Sequence, residues 1–242
     1  MPSERRYAIA AGILFLVATV LNLIGNAVMR PLIAQPVDLA RIAADPTSIL
    51  AGFVVKLVSY AACPAIALAM YPVLHRHGPA FALGSVAFRL LEAVFYTVAA
   101  VCALLLVALG RLAVAGGGAV DPFYQDLAAV LLAATDLLGF GVAVVFFALG
   151  ALLYSAVLFQ ASLLPRWLSG WGIAAAVMAL AASLLVLLDV AAPMSPLHLV
   201  LNLPIFAQEL VLAGWLIVRG FRPAVAAALP AMATPAVAVA AS

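Results

Sequence analysis

The sequence predicts an all-α fold: a polytopic membrane bundle of six transmembrane helices with both termini in the cytoplasm. The first observation is composition, because 69% of the 242 residues are hydrophobic and only 8% are charged, too few to give a water-soluble globule its polar shell. The second is that the apolar residues form runs of about 20 or more, the length at which a helix crosses a ~30 Å hydrocarbon core. The alternation of a transmembrane β-strand is absent from these runs.

Six apolar runs are long enough to cross a membrane. Turn-forming residues separate them, for example in "HRHGP", "AGGGAVDP" and "LPRW". The first run follows "SERR", but it is longer than the core of a signal peptide, about 7–15 residues, and is expected to remain as a helix. The predicted spans are Tyr7–Met29, Ile49–Tyr71, Ala80–Leu109, Asp126–Phe159, Trp167–Leu188 and Leu199–Val218.

The distribution of arginine predicts the orientation, since cytoplasmic connections are enriched in Lys and Arg. Six arginines lie at the N-terminus, in the second and fourth connections and after the last span, which all fall on one side of a six-span protein. The connections on the other side contain four aspartates beside their arginines. Both termini are therefore expected in the cytoplasm, in a multi-pass protein of the cytoplasmic (inner) membrane. The six arginines are Arg5, Arg6, Arg76, Arg166, Arg219 and Arg222.

Residues 1–220 are predicted to form one six-helix transmembrane domain. Residues 221–242 are expected to be a disordered cytoplasmic tail, because "AVAAALPAMATPAVAVAAS" has too few bulky side chains to build a core. Cys63 and Cys102 lack a CxxC spacing and are interpreted as buried apolar residues. With a formal charge of +2, no nucleic-acid partner is predicted, and neither a metal nor another cofactor is expected.

Charged residues interrupt the third span at "AFRLLEAVFYTV", residues 87–98. An ionised side chain near the bilayer centre costs roughly 2.5–3.5 kcal/mol on insertion scales, so Arg89 and Glu92 are expected to face protein. Together with Tyr96, they fall within a sector of about 60° on a helical wheel. The third span therefore presents one polar stripe to its neighbours.

Three other spans, the first, second and sixth, carry polar residues that match this stripe, and the fourth span adds Asp136. The helical rise of about 1.5 Å per residue puts Arg89 and Glu209 near the midplane and most of the others in the outer half of the membrane. The sequence thus predicts a charged outer-half pocket that binds or translocates a small polar or amphiphilic ligand, in a protein whose surroundings are membrane lipid. The predicted ligand-binding residues are Arg89, Glu92, Glu209, Lys56, Tyr96, Tyr60, Asn202, His198, Asn26 and Asp136.

A structural role for the same charges is the main alternative. Arg89 with Glu92, and Lys56 with Glu209, would then form two ion pairs that hold helices together in lipid, where the hydrophobic effect does not drive their association. A binding role is favoured because buried ionisable residues are costly and apolar side chains would pack more cheaply. Two further alternatives are an enzyme acting on a lipid, with Glu209 or Glu92 as general acid or base, and a scaffold for a partner protein.

Motifs of known catalytic sites are absent from the sequence, which contains no HExxH, no G-x-S-x-G and no phosphate-binding glycine loop. The long fourth run is expected to bend at Gly139 and Gly141, since a single helix of ~34 residues would extend about 51 Å. The segment before Gly139 is then expected to protrude from the outer mouth of the bundle or to pack across it.

Three stretches resemble a bacterial integral-membrane family catalogued as domain-of-unknown-function family 4386: "AFRLLEAVFYTV", "VVFFALGALLYSAVLFQASLLPRWLSGWGI" and "QELVLAGWLIVRG". The family pattern of alanine, aromatic, arginine and leucine corresponds to residues 87–90, and its terminal glutamate corresponds to Glu209. The resemblance covers most of residues 5–220 and implies a six-helix inner-membrane fold with no assigned activity. Members often carry a histidine-aromatic-glycine stretch where this chain has "TDLLGFGVAV", around Asp136.

Overall fold

A computed structural model describes residues 2–33, 36–115 and 120–222, and over these residues the regular structure is entirely helical. The α-helices of the described residues are α1 Pro2–Ile33, α2 Leu39–Ala44, α3 Thr47–Leu74, α4 Pro79–Val114, α5 Pro122–Asp136, α6 Ala143–Gln160, α7 Arg166–Leu187 and α8 Pro196–Val218. A π-helical turn, Leu137–Val142, joins α5 to α6 so that they form one continuous helix of 39 residues, Pro122–Gln160.

Six helices of the described chain are long and apolar enough to cross a membrane: α1, α3, α4, the continuous α5–α6, α7 and α8. The predicted all-α fold with six membrane-spanning helices is therefore confirmed. The helices extend beyond most ends of the predicted apolar runs, except that α7 ends at Leu187, one residue before the predicted end. The cytoplasmic location of the termini stays a prediction.

The six spans form a closed ring in chain order. Each span packs against the preceding and the following one, and α1 packs against α8 to close the ring. Gly12 on α1 permits this closure, because a Cβ atom added to it would lie 2.7 Å from the carbonyl oxygen of Ala213 on α8. Small residues commonly bring membrane helices together in this way.

The two ends of the ring differ. At the end where α1 begins and α8 ends, here called the terminal side, the guanidinium group of Arg5 donates hydrogen bonds to the carbonyl oxygens of the last turn of α8, the shortest at 2.7 Å to Ile217. Phe221 packs against the main core there, and the backbone N–H of Arg222 donates to the carbonyl oxygen of Leu163. The rest of the predicted tail, 223–242, lies outside the described residues.

A second apolar core lies at the opposite end of the ring, here called the distal side. It combines the last turns of α1 and α4 and the start of α3 with α2 and α5, and Ile42, Leu106 and Leu132 are buried in it. Helix α5 thus packs against the other helices at this end. It continues α6 as one helix and packs against α4, and the expectation that the segment before Gly139 protrudes from the outer mouth or packs across it stays a prediction.

The π-helical turn contains both Gly139 and Gly141, the two positions at which the sequence predicts a bend; the bend itself stays a prediction. A Cβ atom on Gly141 would lie 2.7 Å from Cδ2 of Leu187, so this glycine permits close contact between the turn and α7. Such turns interrupt the regular hydrogen-bond pattern of an α-helix and often occur at functional sites. Asp136, directly before the turn, faces α1 and forms an ion pair there.

Candidate functional site

Arg89 on α4 is the centre of a buried cluster of three charged side chains. Its Nη1 atom donates to both carboxylate oxygens of Glu92, at 2.9 and 3.2 Å. Its Nη2 atom donates to Oε1 of Glu209 on α8, at 3.3 Å. Because α4 and α8 are not neighbours in the ring, this second contact crosses its interior.

Aromatic rings surround the guanidinium group of Arg89. Its Cζ atom lies 4.9 Å from the ring centroid of Phe147, 5.8 Å from that of Phe15 and 5.9 Å from that of Tyr154. These rings supply π faces to the cation and exclude lipid from it. Gly150 on α6 leaves room for the stem of Arg89, since an added Cβ atom would lie 3.3 Å from its Cγ atom.

A cavity of about 200 Å³, here called the central cavity, opens beside this cluster. Side chains from α1, α3, α4, α6 and α8 line it. Most of its polar lining comes from residues that the sequence analysis identified. The polar and charged lining residues are Thr19, Asn22, Ser59, Tyr60, Cys63, Arg89, Glu92, Tyr96, Asn202 and Glu209.

The rim of the central cavity reaches the outside of the ring between α1 and α8. Leu23 on α1 and Phe206 on α8 both line the cavity, yet 52% and 38% of their surfaces are exposed. The outside of a membrane bundle faces acyl chains. The rim therefore connects the charged cluster with the lipid-facing surface.

A smaller cavity of about 70 Å³, here called the distal cavity, lies towards the distal side. Arg30 on α1 donates to Oδ1 of Asp136 at 2.8 Å. Lys56 on α3 donates to Oδ1 of Asn26 at 2.8 Å. Within the described residues, no carboxylate lies within 4.0 Å of Lys56. This cavity thus contains two cationic side chains and one carboxylate.

The two cavities meet at Asn22, Tyr60 and Tyr96, which line both of them. The rings of the two tyrosines stack on each other. The side-chain amide of Asn26 in the distal cavity donates to Oδ1 of Asn22 at 3.4 Å. Polar contacts therefore extend along the boundary between the cavities.

The structure differs from the sequence analysis in two details, one of the structural alternative and one of the predicted site. Lys56 and Glu209 do not form an ion pair, because Glu209 contacts Arg89 whereas Lys56 contacts Asn26. The predicted residues also surround two cavities instead of one pocket. A helical wheel gives the face of a residue and a rough depth, but it does not show which residues of other helices lie at the same level.

The predicted residues divide between the cavities as follows. His198 lines neither cavity; it is buried with its ring edge-on to Phe140, 5.4 Å between centroids, and Asn202 donates to its carbonyl oxygen. Around the central cavity lie Arg89, Glu92, Glu209 and Asn202; around the distal cavity lie Lys56, Asn26 and Asp136; Tyr60 and Tyr96 belong to both.

Comparison with known proteins gives a family. Residues 10–220 match the model of the family described as domain of unknown function (DUF4386). The chain belongs to this family. No curated protein and no solved structure is significantly similar to it. The matched range of this DUF4386 member includes every residue that lines the two cavities. Among the residues that the structure describes, no group of three His, Cys, Asp or Glu side chains is arranged to hold a metal ion.

Sequence reasoning did not assign Arg30 to the site of this DUF4386 member. Arg30 directly follows the first predicted span, which ends at Met29, and therefore belongs by sequence to the first connection. Its spacing of four residues from Asn26 was a signal that both share one helix face. The aromatic residues around Arg89 gave no comparable signal, because aromatic side chains occur throughout a chain of this composition.

Proposed function

We propose that this membrane protein binds a small amphiphile whose cationic head group lies in the central cavity beside Glu209. The charge balance of the cluster supports this proposal. One guanidinium group, that of Arg89, contacts two carboxylates, those of Glu92 and Glu209. With all three groups ionised, one negative charge is left in a largely apolar environment, where a cationic ligand would neutralise it.

Glu209 is the carboxylate with free hydrogen-bonding capacity. Glu92 uses both of its oxygens to accept from Arg89, whereas Glu209 accepts one bond of 3.3 Å through Oε1. The side chain of Glu209 is also 15% exposed, compared with 3% for Glu92. An ammonium group in the cavity would therefore bind Glu209, and nearby aromatic rings would add cation–π contacts.

The rim between α1 and α8 supports an amphiphile over a purely water-soluble ligand. Leu23 and Phe206 would contact an acyl chain on the outside of the ring, while Asn22 and Asn202 line the way to Glu209. A ligand of this kind would reach the cavity from the bilayer. The location that we propose is the cytoplasmic membrane of a bacterium, with both termini in the cytoplasm.

Ligand-induced stabilisation of the purified protein in a neutral detergent tests the proposal. Octylammonium and octanol share one chain length and differ in head-group charge. We expect octylammonium to raise the Tm of the parent protein more than octanol does. An equal effect of octylammonium and octanol would mean that the charges only join the helices.

Two carboxylate-to-amide variants show whether the stabilisation by octylammonium depends on Glu209. Glu209→Gln keeps the shape of the side chain and removes its charge, so it should lose the additional stabilisation by octylammonium. Glu4→Gln is the matched control, because Glu4 pairs with Arg76 at the exposed terminal side, 2.7 Å away. The control should respond like the parent protein. Equal responses of the two variants would contradict binding at Glu209.

A further inference from the structure

We infer that the distal cavity is a second binding site, which holds a small oxyanionic group, a carboxylate or a phosphate, between Lys56 and Arg30. This site is separate from the proposed cation site and does not depend on it. Two cations and one carboxylate line the distal cavity, so one positive charge remains when all three are ionised. The central cavity has the opposite balance.

Lys56 supplies the main argument for an anion. An ammonium group has three N–H donors and no acceptor. Lys56 Nζ donates to one described acceptor, the neutral amide oxygen of Asn26, at 2.8 Å. The remaining N–H groups and the positive charge are available to a ligand. Because the surroundings are largely apolar, a counter-ion would stabilise the charged form considerably.

Arg30 provides a second donor group on the other side of the cavity. One of its terminal nitrogens, Nη2, donates to Asp136, and its Cζ atom lies 4.9 Å from the ring centroid of Phe140. Guanidinium groups have five N–H donors in a planar fork that suits carboxylates and phosphates. The ion pair with Asp136 uses one side of this fork and holds Arg30 in place.

The size and the boundary of the cavity limit the ligand. About 70 Å³ accommodates one carboxylate or phosphate group but no large molecule. Tyr60 and Tyr96 separate it from the central cavity, where Glu92 and Glu209 would repel an anion. Arg30 and Asp136 are partly exposed, so an anionic group can approach from outside the ring. The phosphate of a lipid head group and a free oxyanion share this chemistry.

Lysine chemistry gives a direct test, because Lys56 is the only lysine in the sequence. Reductive methylation with ¹³C-formaldehyde yields one lysine dimethylamine NMR signal, beside the signal of the N-terminal amine; the dimethylated group keeps its positive charge and one N–H donor, so a bound anion still shifts the signal through its charge. The variant Lys56→Arg identifies the lysine signal by its loss. We expect inorganic phosphate, acetate or dihexanoyl phosphatidic acid to shift this signal saturably. A signal that none of these three anions shifts would overturn the inference.

Thermal stabilisation by inorganic phosphate provides a second measurement on unlabelled protein. Lys56→Met should weaken the apparent affinity for phosphate at least tenfold, whereas Lys56→Arg should retain it. Arg166→Met is the control for a lost cation, since Arg166 is exposed at the terminal side. Unchanged phosphate affinity in Lys56→Met would contradict the site. If Lys56→Met does not fold, the NMR titration of the ¹³C-methylated parent protein tests the site instead.

The same experiments separate the two sources of the anion and the two proposals. A response to phosphatidic acid but not to phosphate or acetate would identify a lipid head group as the ligand, and a response to all three would identify a site for free oxyanions as well. Glu209→Gln should lose its response to octylammonium and keep its response to phosphate. Either proposed site can therefore fail while the other stands.

Discussion

Tyr60 on α3 and Tyr96 on α4 stack with ring centroids 5.0 Å apart and planes inclined by 8°. The two helices run in opposite directions, so Lys56 lies one turn from the tyrosine pair on the distal side and Glu92 lies one turn from it on the other. The stacked rings thus separate a cavity with an excess of positive charge from one with an excess of negative charge. Offset or stacked aromatic pairs contribute about 0.5–1.5 kcal/mol beyond their buried area.

Removing one of these rings should connect the cavities. Cys63 lines the central cavity and serves as a reporter in a Cys102→Ala background. In Tyr96→Ala we expect Cys63 to react severalfold faster with a charged methanethiosulfonate reagent than in the parent. Tyr96→Phe keeps the ring and should leave the rate unchanged. Equal rates in the alanine and phenylalanine variants would show that the rings do not limit access.

The charge cluster predicts an order of stability among variants. Arg89→Met leaves two buried carboxylates without a counter-ion and should lower the free energy of unfolding by about 3–5 kcal/mol. Glu209→Gln should cost less, because Arg89 keeps its two bonds to Glu92. Adding Glu92→Leu and Glu209→Gln to Arg89→Met should recover much of the loss. Denaturant unfolding in detergent measures the free energy of unfolding of each variant. A combined variant no more stable than Arg89→Met would argue against ion pairing in the cluster.

The contact between α1 and α8 predicts opposite outcomes for two glycine substitutions. In Gly12→Ala the new methyl group would meet the carbonyl oxygen of Ala213, which cannot move aside easily, and we expect a loss of about 1–3 kcal/mol. Gly214→Ala, also at a helical position, places the new methyl group more than 4 Å from every atom outside the adjacent residues and backbone of its own helix. It should be neutral or stabilising by up to about 1 kcal/mol. Similar unfolding curves for both variants would contradict the close packing at Gly12.

The orientation of the ring can be tested with single cysteines in a background that lacks Cys63 and Cys102. Ala44 and His77 are both exposed, at the distal and the terminal side respectively. Ala44→Cys should react with a membrane-impermeant thiol reagent added to intact cells. His77→Cys should react only after the membrane is permeabilised. The reverse pattern would place the termini outside and the distal cavity in the cytoplasmic half of the membrane.

The sequence was sufficient to predict the spans, because hydrocarbon thickness fixes the length of a transmembrane helix and requires its apolar composition. It also predicted that Arg89 and Glu92 face protein, since lipid does not tolerate them. It did not predict the partners of Lys56 and Glu209. Such pairings depend on the relative heights and rotations of helices that are distant in the chain, and several pairings satisfy the same charges.

The order of synthesis gives the closed ring a further consequence. A chain is made from its N-terminus, so α4 is inserted before α8. Arg89 and Glu92 lie three residues apart on α4 and can neutralise each other at that stage. Glu209 arrives with the last span, and Arg89 is already in place when it does. The contact between these two residues therefore forms only after α8 has been inserted, when α8 docks against α1 and closes the ring.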